Sequence, residues 1–217
     1  MITPKNLEKI LHFFEDQIGD KKSELRYTTP FTFAIAVLLS AQSTDKGVNI
    51  ATAELFKDAD TPQKMLALGE RRLSEIIKRT GFFNVKAKHI LALCEILIER
   101  FGSELPKTRD ELEELPGIGR KSANVIMNEI YNAPYIGVDT HVMRLVRRLD
   151  LVPGGTVTPV DIEESLEQTI PEKYKPYISN WLVLYGRYVC TAVKPHCLDC
   201  KIIRYCKEPY KNLKRTY

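Results

Sequence analysis

Strands are what this sequence lacks most. No stretch alternates apolar and polar residues for long; the best candidate, Tyr135 to Val138, is too short. That excludes sandwiches, barrels and doubly wound sheets as the main architecture. Long apolar runs are missing too. The longest, near Phe33 to Leu39, is far short of a membrane span. Met1 to Asn6 has no signal-peptide pattern, so a cytoplasmic, nucleoid-associated location is expected. Low-complexity tracts, a long-period repeat and a long flexible linker are all absent. So is a strong charge of one sign: 32 Lys and Arg against 28 Asp and Glu give +4 in 217 residues. Affinity for an anionic partner must then come from a local basic face.

What is present is helical period almost throughout, which sets the fold class as all-α. With 44% hydrophobic and 28% charged residues, the chain can bury an ordinary core without staples. Threonine followed by proline marks four helix starts, at Thr3-Pro4, Thr29-Pro30, Thr61-Pro62 and Thr158-Pro159. A further helix opens at Thr44 or Asp45. Glu70 to Arg79 is helical and stopped by Gly81, and a long helix starts at Asn84. Thr108-x-x-Glu111 reads as a capping box. Asp139 precedes Val142, Leu145, Val146 and Leu149, spaced i, i+3, i+4, i+7, and is the expected N-cap. A last helix covers Tyr177 to Val189.

Leu115-Pro116-Gly117-Ile118-Gly119-Arg120-Lys121 lies between two helical segments, Glu111 to Leu115 and Arg120 to Tyr131. Two glycines within three residues allow a tight turn whose backbone can approach a ligand. The turn delivers a helix N-terminus, which favours an anion. Lys121 falls in the first helical turn, where a cation is electrostatically misplaced. A phosphate contact is the plain explanation; a chemical task for the amine is the sharper one.

Cysteine is scarce and concentrated. Four of five form C-x6-C-x2-C-x5-C, at Cys190, Cys197, Cys200 and Cys206, and Cys94 reads as a small core hydrophobe. Outside a secreted context such a group binds metal rather than forming disulfides. Structural zinc sites pair two short knuckles, but only Cys197-x2-Cys200 is one here. The unequal gaps lean toward a cubane iron–sulfur cluster, with zinc open. Arg187 to Tyr217 also carries eight Lys and Arg against Asp199 and Glu208. Ligation at Cys190 and Cys197 would pin the loop that offers Lys194 to a phosphate.

Taken together, Leu-Pro-Gly-Ile-Gly-Arg-Lys, Val138-Asp139-Thr140-His141 and the cysteine spacing resemble endonuclease III, the helix-hairpin-helix DNA glycosylase family with a [4Fe-4S] cluster. Leu38 to Asp45, Gly81-Phe82-Phe83-Asn84 and Trp181 to Arg187 support the likeness, which runs from about Arg26 to Cys206. It implies two helical domains: a six-helix barrel over 22–133, with the hairpin at about 108–131, and a cluster domain of 1–21 with 134–217. Lys121 and Asp139 would meet at a cleft between them. The implied ligands are Cys190, Cys197, Cys200 and Cys206. The implied partner is duplex DNA with damaged pyrimidines or abasic sites, bound by a monomer.

The same resemblance implies a chemistry. The damaged nucleotide is flipped out. The neutral amine of Lys121 attacks C1′, and Asp139 stabilises positive charge and moves protons. Base loss leaves a Schiff base, and β-elimination cuts the strand, so the enzyme is a bifunctional glycosylase and lyase. Backbone N–H groups of Gly117, Ile118 and Gly119 would hold a phosphate, with a monovalent cation under the hairpin. Gln42 would fill the gap in the stack, and Phe82, rather than Phe83, would wedge from the other side. Three readings compete. An adenine glycosylase and a mismatch thymine glycosylase of the same superfamily normally lack the lysine after the hairpin. A non-catalytic hairpin module with structural zinc would bind DNA without cutting it.

Overall fold

Helix starts follow the threonine–proline signal closely. In the computed structural model, which describes residues 1–20, 23–155 and 158–208, α1 (Pro4–Ile18), α2 (Pro30–Ser40), α4 (Pro62–Ile77) and α9 (Pro159–Thr169) all begin this way. In each, the threonine Oγ1 accepts an N–H of the first turn, from Asn6, Thr32, Lys64 and Asp161 respectively. Proline, which has no N–H to leave unpaired, fills the next position. Thr44 caps α3 (Asp45–Asp58), and Thr108 caps α6 (Arg109–Glu113). The remaining helices are α5 (Phe83–Phe101), α7 (Arg120–Tyr131), α8 (Thr140–Arg148) and α10 (Lys175–Tyr188). No strand occurs among the described residues, and none of their helices is long and apolar enough to cross a membrane.

Boundaries shift where the backbone has reasons the pattern does not show. The sequence separates a helix at Pro62 from one at Glu70, and the backbone does break there. Gly69 takes φ 69° and ψ 164° within α4. The second piece ends at Ile77, and a 3₁₀ turn covers Lys78–Thr80 before Gly81. Helix α10 starts two residues earlier than expected, with Pro176 in its first turn.

The chain divides into two compact units, Ser23–Asn132 and Met1–Lys22 with Ala133–Tyr217. The first holds α2 to α7. Its centre is α2, buried from Phe31 to Leu39 and packed against α3, α5 and α7. A helix apolar all round has no solvent face to offer, which is why it sits inside.

The second unit gathers α1, α8, α9, α10 and the cysteine segment. Its core is aliphatic around an aromatic cluster. Phe14 of α1 stacks on Trp181 at 6.1 Å and meets Tyr185 edge-on at 5.3 Å. The Trp181 indole N–H is satisfied by the Gly19 carbonyl at 2.7 Å. Val142, Leu145 and Val146 bury the apolar stripe of α8. Burying each such side chain contributes about 1.5–3 kcal/mol. That stripe fixes which way the start of α8 faces.

Candidate active site

The hairpin belongs to the Ser23–Asn132 unit. Leu112, Leu115 and Ile118 anchor it in the core at 0%, 1% and 4% exposure. The Ile118 N–H donates to the Leu115 carbonyl at 3.0 Å, so it closes the turn. Gly117 has φ 82°, and a Cβ there would lie 2.8 Å from Leu38 Cδ1 and 3.1 Å from His89 Nδ1. Its glycine is a requirement of conformation and packing. Gly119 is different: it is extended, it is the N-cap of α7, and a Cβ would meet nothing within 4 Å. No side chain caps α7. The face beside Gly119 is therefore open to a ligand, and Lys121, the second residue of α7, is exposed.

Two other segments of this unit carry exposed side chains on unusual backbone. Gln42, between α2 and α3, has φ 52°, and Phe82, just before α5, has φ 47°. Phe82 is 65% exposed, whereas Phe83 is half-buried as the first residue of α5. Beneath them lies Lys86, 5% exposed, with its ammonium among backbone carbonyls. The sequence reading passes over it. The signal was available: Lys86 falls in register with Ile90, Leu93 and Leu97 on the buried face of α5, a position where a solvated lysine does not belong.

Asp139 lies in the other unit, after the buried run Ile136 to Val138. Its Oδ1 accepts from both the His141 and Val142 N–H groups, at 2.8 and 3.0 Å. One oxygen thus performs the whole cap, and Oδ2 takes no part in it. Helix α8 then reaches the cysteine segment through two arginines. Arg144 donates to the Cys190 carbonyl at 3.0 Å and to the Gly186 carbonyl at 2.8 Å. Arg148 donates to Cys190 Sγ at 3.1 Å and to the Thr191 carbonyl at 3.0 Å. A Cβ at Gly186 would stand 3.0 Å from both Arg144 Nη2 and His141 Cβ, so the close approach of α8 and α10 needs glycine there.

Cys190, Cys197, Cys200 and Cys206 line one small cavity with Arg148 and His196, and all four are free thiols. The loop between the first two is closed at its base. Cys190 N–H donates to the Tyr185 carbonyl at 2.7 Å, and His196 N–H to Val189 at 2.9 Å. Lys194 stands exposed on it. Burial pushes the Cys206 thiol above its usual range, which opposes a bare thiolate. The Tyr185 hydroxyl lies 3.2 Å from Cys200 Sγ, and burial foremost raises it above its usual range. Asp150 clamps both ends of this unit, pairing with the Met1 ammonium at 2.9 Å and Lys207 at 2.6 Å. Among the described residues no group of three or more His, Cys, Asp or Glu side chains is arranged to hold a metal ion. Lys211, Lys214 and Arg215, part of the basic tail, lie outside the described residues. Cys94 is fully buried, and burial, then Glu95, pushes its thiol up to about 12.

A hairpin with an open glycine and an exposed lysine, in an all-helical chain ending in four cysteines, defines a class, and comparison agrees with it. Residues 35–172 match the family model for HhH-GPD superfamily base excision DNA repair proteins. Endonuclease III of Rickettsia prowazekii (strain Madrid E) is 45% identical over 201 residues, covering 93% of this chain and 94% of the relative. Endonuclease III of Escherichia coli (strain K12) is 45% identical over 185 residues, covering 85% and 87%. A solved non-covalent endonuclease III–DNA complex superimposes with a TM-score of 0.93 at 35% identity, over 99% of this chain and all of that one. A trapped endonuclease III–DNA covalent intermediate gives 0.91 at 35% identity, over 98% and 100%. The chain belongs to the endonuclease III family of this superfamily.

Proposed function

We propose that the protein is a base excision repair enzyme that removes oxidised pyrimidines from duplex DNA and then cuts the abasic strand through a lysine Schiff base. The observation that carries this is the hairpin itself, with a core-locked Gly117, an open Gly119 and an exposed Lys121 in the first turn of α7. The flanking phosphate is held by N–H groups of Gly119 and the first turn of α7. Ile118 supports this from below, since its side chain is core and its N–H closes the turn.

The Lys121 amine forms a bond to C1′ as the glycosidic bond breaks, and the base leaves with a proton. Ring opening gives the imine. Loss of a C2′ proton expels the 3′ phosphate by β-elimination, and water releases the lysine. Asp139 Oδ2, free of the capping duty, offsets developing positive charge and moves protons. Gln42 and Phe82 enter the stack where the nucleotide has left; exposure favours Phe82 over Phe83 for this role.

Cys190, Cys197, Cys200 and Cys206 would hold a [4Fe-4S] cluster, which supplies four Fe–S cross-links across a segment with little core of its own. Four free thiols around one cavity fit that group. The unequal gaps between the four cysteines, with Cys197-x2-Cys200 the one short knuckle, favour the cluster over zinc. Lys194 on the pinned loop contacts a phosphate, and the carbonyls under the hairpin receive a monovalent cation.

Asp139→Asn tests the carboxylate. Asparagine keeps an acceptor for His141 and Val142, so stability should change by less than about 1 kcal/mol, while excision falls roughly 10²- to 10⁴-fold. Single-turnover cleavage of a thymine glycol duplex and thermal unfolding separate the two effects; equal activity with a lower melting point would leave Asp139 as a cap alone.

The glycines should part company in the same way. Gly117→Ala must adopt a left-handed conformation and push Leu38 aside, at a cost of roughly 2–4 kcal/mol. Gly119→Ala should cost less, about 1 kcal/mol or under, because alanine is a poorer N-cap than glycine, and should weaken DNA binding, because its methyl group occupies the phosphate's approach. Unfolding curves and titration of a duplex at two salt concentrations read this out. An undiminished affinity in Gly119→Ala would contradict the phosphate site.

A further inference from the structure

Lys86 is the one buried lysine among the described residues, and its surroundings are specific. Its ammonium, with three N–H groups, lies within hydrogen-bond distance of four acceptors: the carbonyls of Leu39 at 2.9 Å, Ala41 at 2.8 Å and Thr80 at 2.7 Å, and Ser43 Oγ at 3.0 Å. The Ser43 hydroxyl in turn donates to the Thr80 carbonyl. All these acceptors are neutral, and burial lowers the lysine below its ordinary range. An apolar residue in register with Ile90, Leu93 and Leu97 would fill the position without a buried charge. The ammonium must therefore supply something that packing would not.

What it supplies is a joint. Leu39, Ala41 and Ser43 belong to the end of α2 and the loop after it. Thr80 closes the 3₁₀ turn before Gly81. The two segments are 37 residues or more apart in sequence, and Lys86 binds both at once. Each carries, within two residues of an acceptor, an exposed side chain on left-handed backbone: Gln42 beside Ala41 and Ser43, and Phe82 two residues after Thr80. Left-handed backbone is disfavoured for a phenylalanine or glutamine and persists only where the surroundings hold it. Three carbonyls converging on one point also repel one another unless a cation lies between them.

We propose that Lys86 is a positioning residue for base extrusion: its ammonium sets the separation and aim of Gln42 and Phe82, so that the two enter the DNA stack as a pair. This rests on the reading of Gln42 and Phe82 as the inserting side chains. Lys86 touches neither DNA nor the reacting atoms; it acts through the two segments it joins.

The test is a cycle on the intact protein, using a duplex with thymine glycol and, opposite it, 2-aminopurine as a fluorescent reporter of unstacking. Four proteins are compared: wild type, Lys86→Met, Gln42→Ala with Phe82→Ala, and all three substitutions together. Lys86→Met should bind undamaged duplex within about twofold of wild type, since a buried ammonium contributes little to phosphate attraction. It should lower single-turnover excision and the fluorescence rise together, by about 10- to 100-fold. In the protein already lacking both inserting side chains, adding Lys86→Met should cost less than about twofold, because the residues it positions are gone. A loss of equal size in both backgrounds would overturn the proposal and leave Lys86 as a general support of the fold. Wild-type excision by Gln42→Ala with Phe82→Ala would instead overturn the insertion reading itself. Should Lys86→Met not fold, Ser43→Ala removes one acceptor and keeps three, and the same non-additivity is expected on a loss of about two- to fivefold; additivity there counts equally against the proposal.

Discussion

Lys121→Gln is expected to bind a thymine glycol duplex nearly as tightly as wild type, and to excise and cut it at least about 10⁴-fold more slowly. The size follows from the step removed. Without the amine no covalent bond to C1′ forms, so neither the imine nor its β-elimination is available. The fold should be unaffected, because Lys121 is exposed and α7 is anchored by Ala123, Ile126 and Met127 on its other face. Glutamine keeps the length and polarity of the chain and tolerates a helix. One lost charge near a phosphate weakens binding by about tenfold at most. Active-site titration with single-turnover kinetics gives the rate, and filter binding at the same salt gives the affinity. A variant that cut abasic DNA at the normal rate would move the nucleophile elsewhere.

The second large effect concerns the cysteines. Cys200→Ser should purify with little iron, whereas wild type prepared without oxygen should carry about four irons and four sulfides per chain. The loss is a stability effect as much as a loss of metal. Because the unfolded segment holds no preformed set of thiolates, the free energy of metal binding is folding free energy for it. Cys200 lies between two 3₁₀ turns, Cys197–Asp199 and Ile203–Tyr205, where Ile202 is the one buried apolar side chain. Its melting temperature should fall by on the order of 10 °C, taking about 2–4 °C per kcal/mol for a chain of this size. Zinc in place of iron, at one ion per chain, would contradict the cluster. So would wild-type unfolding by the iron-free variant.

Much of this fold could be read along the chain because its determinants are local. Four Thr-Pro pairs start helices since a hydroxyl accepts the first free N–H and proline lacks one to leave free. Asp139 reads as a cap because an apolar stripe of helical period follows it directly. The structure adds that a single oxygen does the capping, which frees the other for chemistry. Where contact partners lie far apart in sequence, the pattern is silent. Gly117 and Gly119 look alike as letters, yet only Gly117 faces Leu38 and His89. Arg144 and Arg148 look like solvated helix charges, yet they tie α8 to Cys190. Lys86 looks like one lysine among many, and its meaning depends on carbonyls at positions 39, 41 and 80. Ile118 depends on distant neighbours too: they hold its side chain in the core while its N–H donates to the Leu115 carbonyl within the turn.

The most direct test of the central claim is borohydride reduction during turnover, followed by peptide mapping. Reducing the imine on a thymine glycol duplex should leave DNA attached to the protein, and digestion should place the adduct on the peptide that contains Lys121. Lys121→Gln should give no adduct while it still retards the duplex on a gel. An adduct on another lysine or on the Met1 amine, or undiminished trapping by Lys121→Gln, would contradict the account.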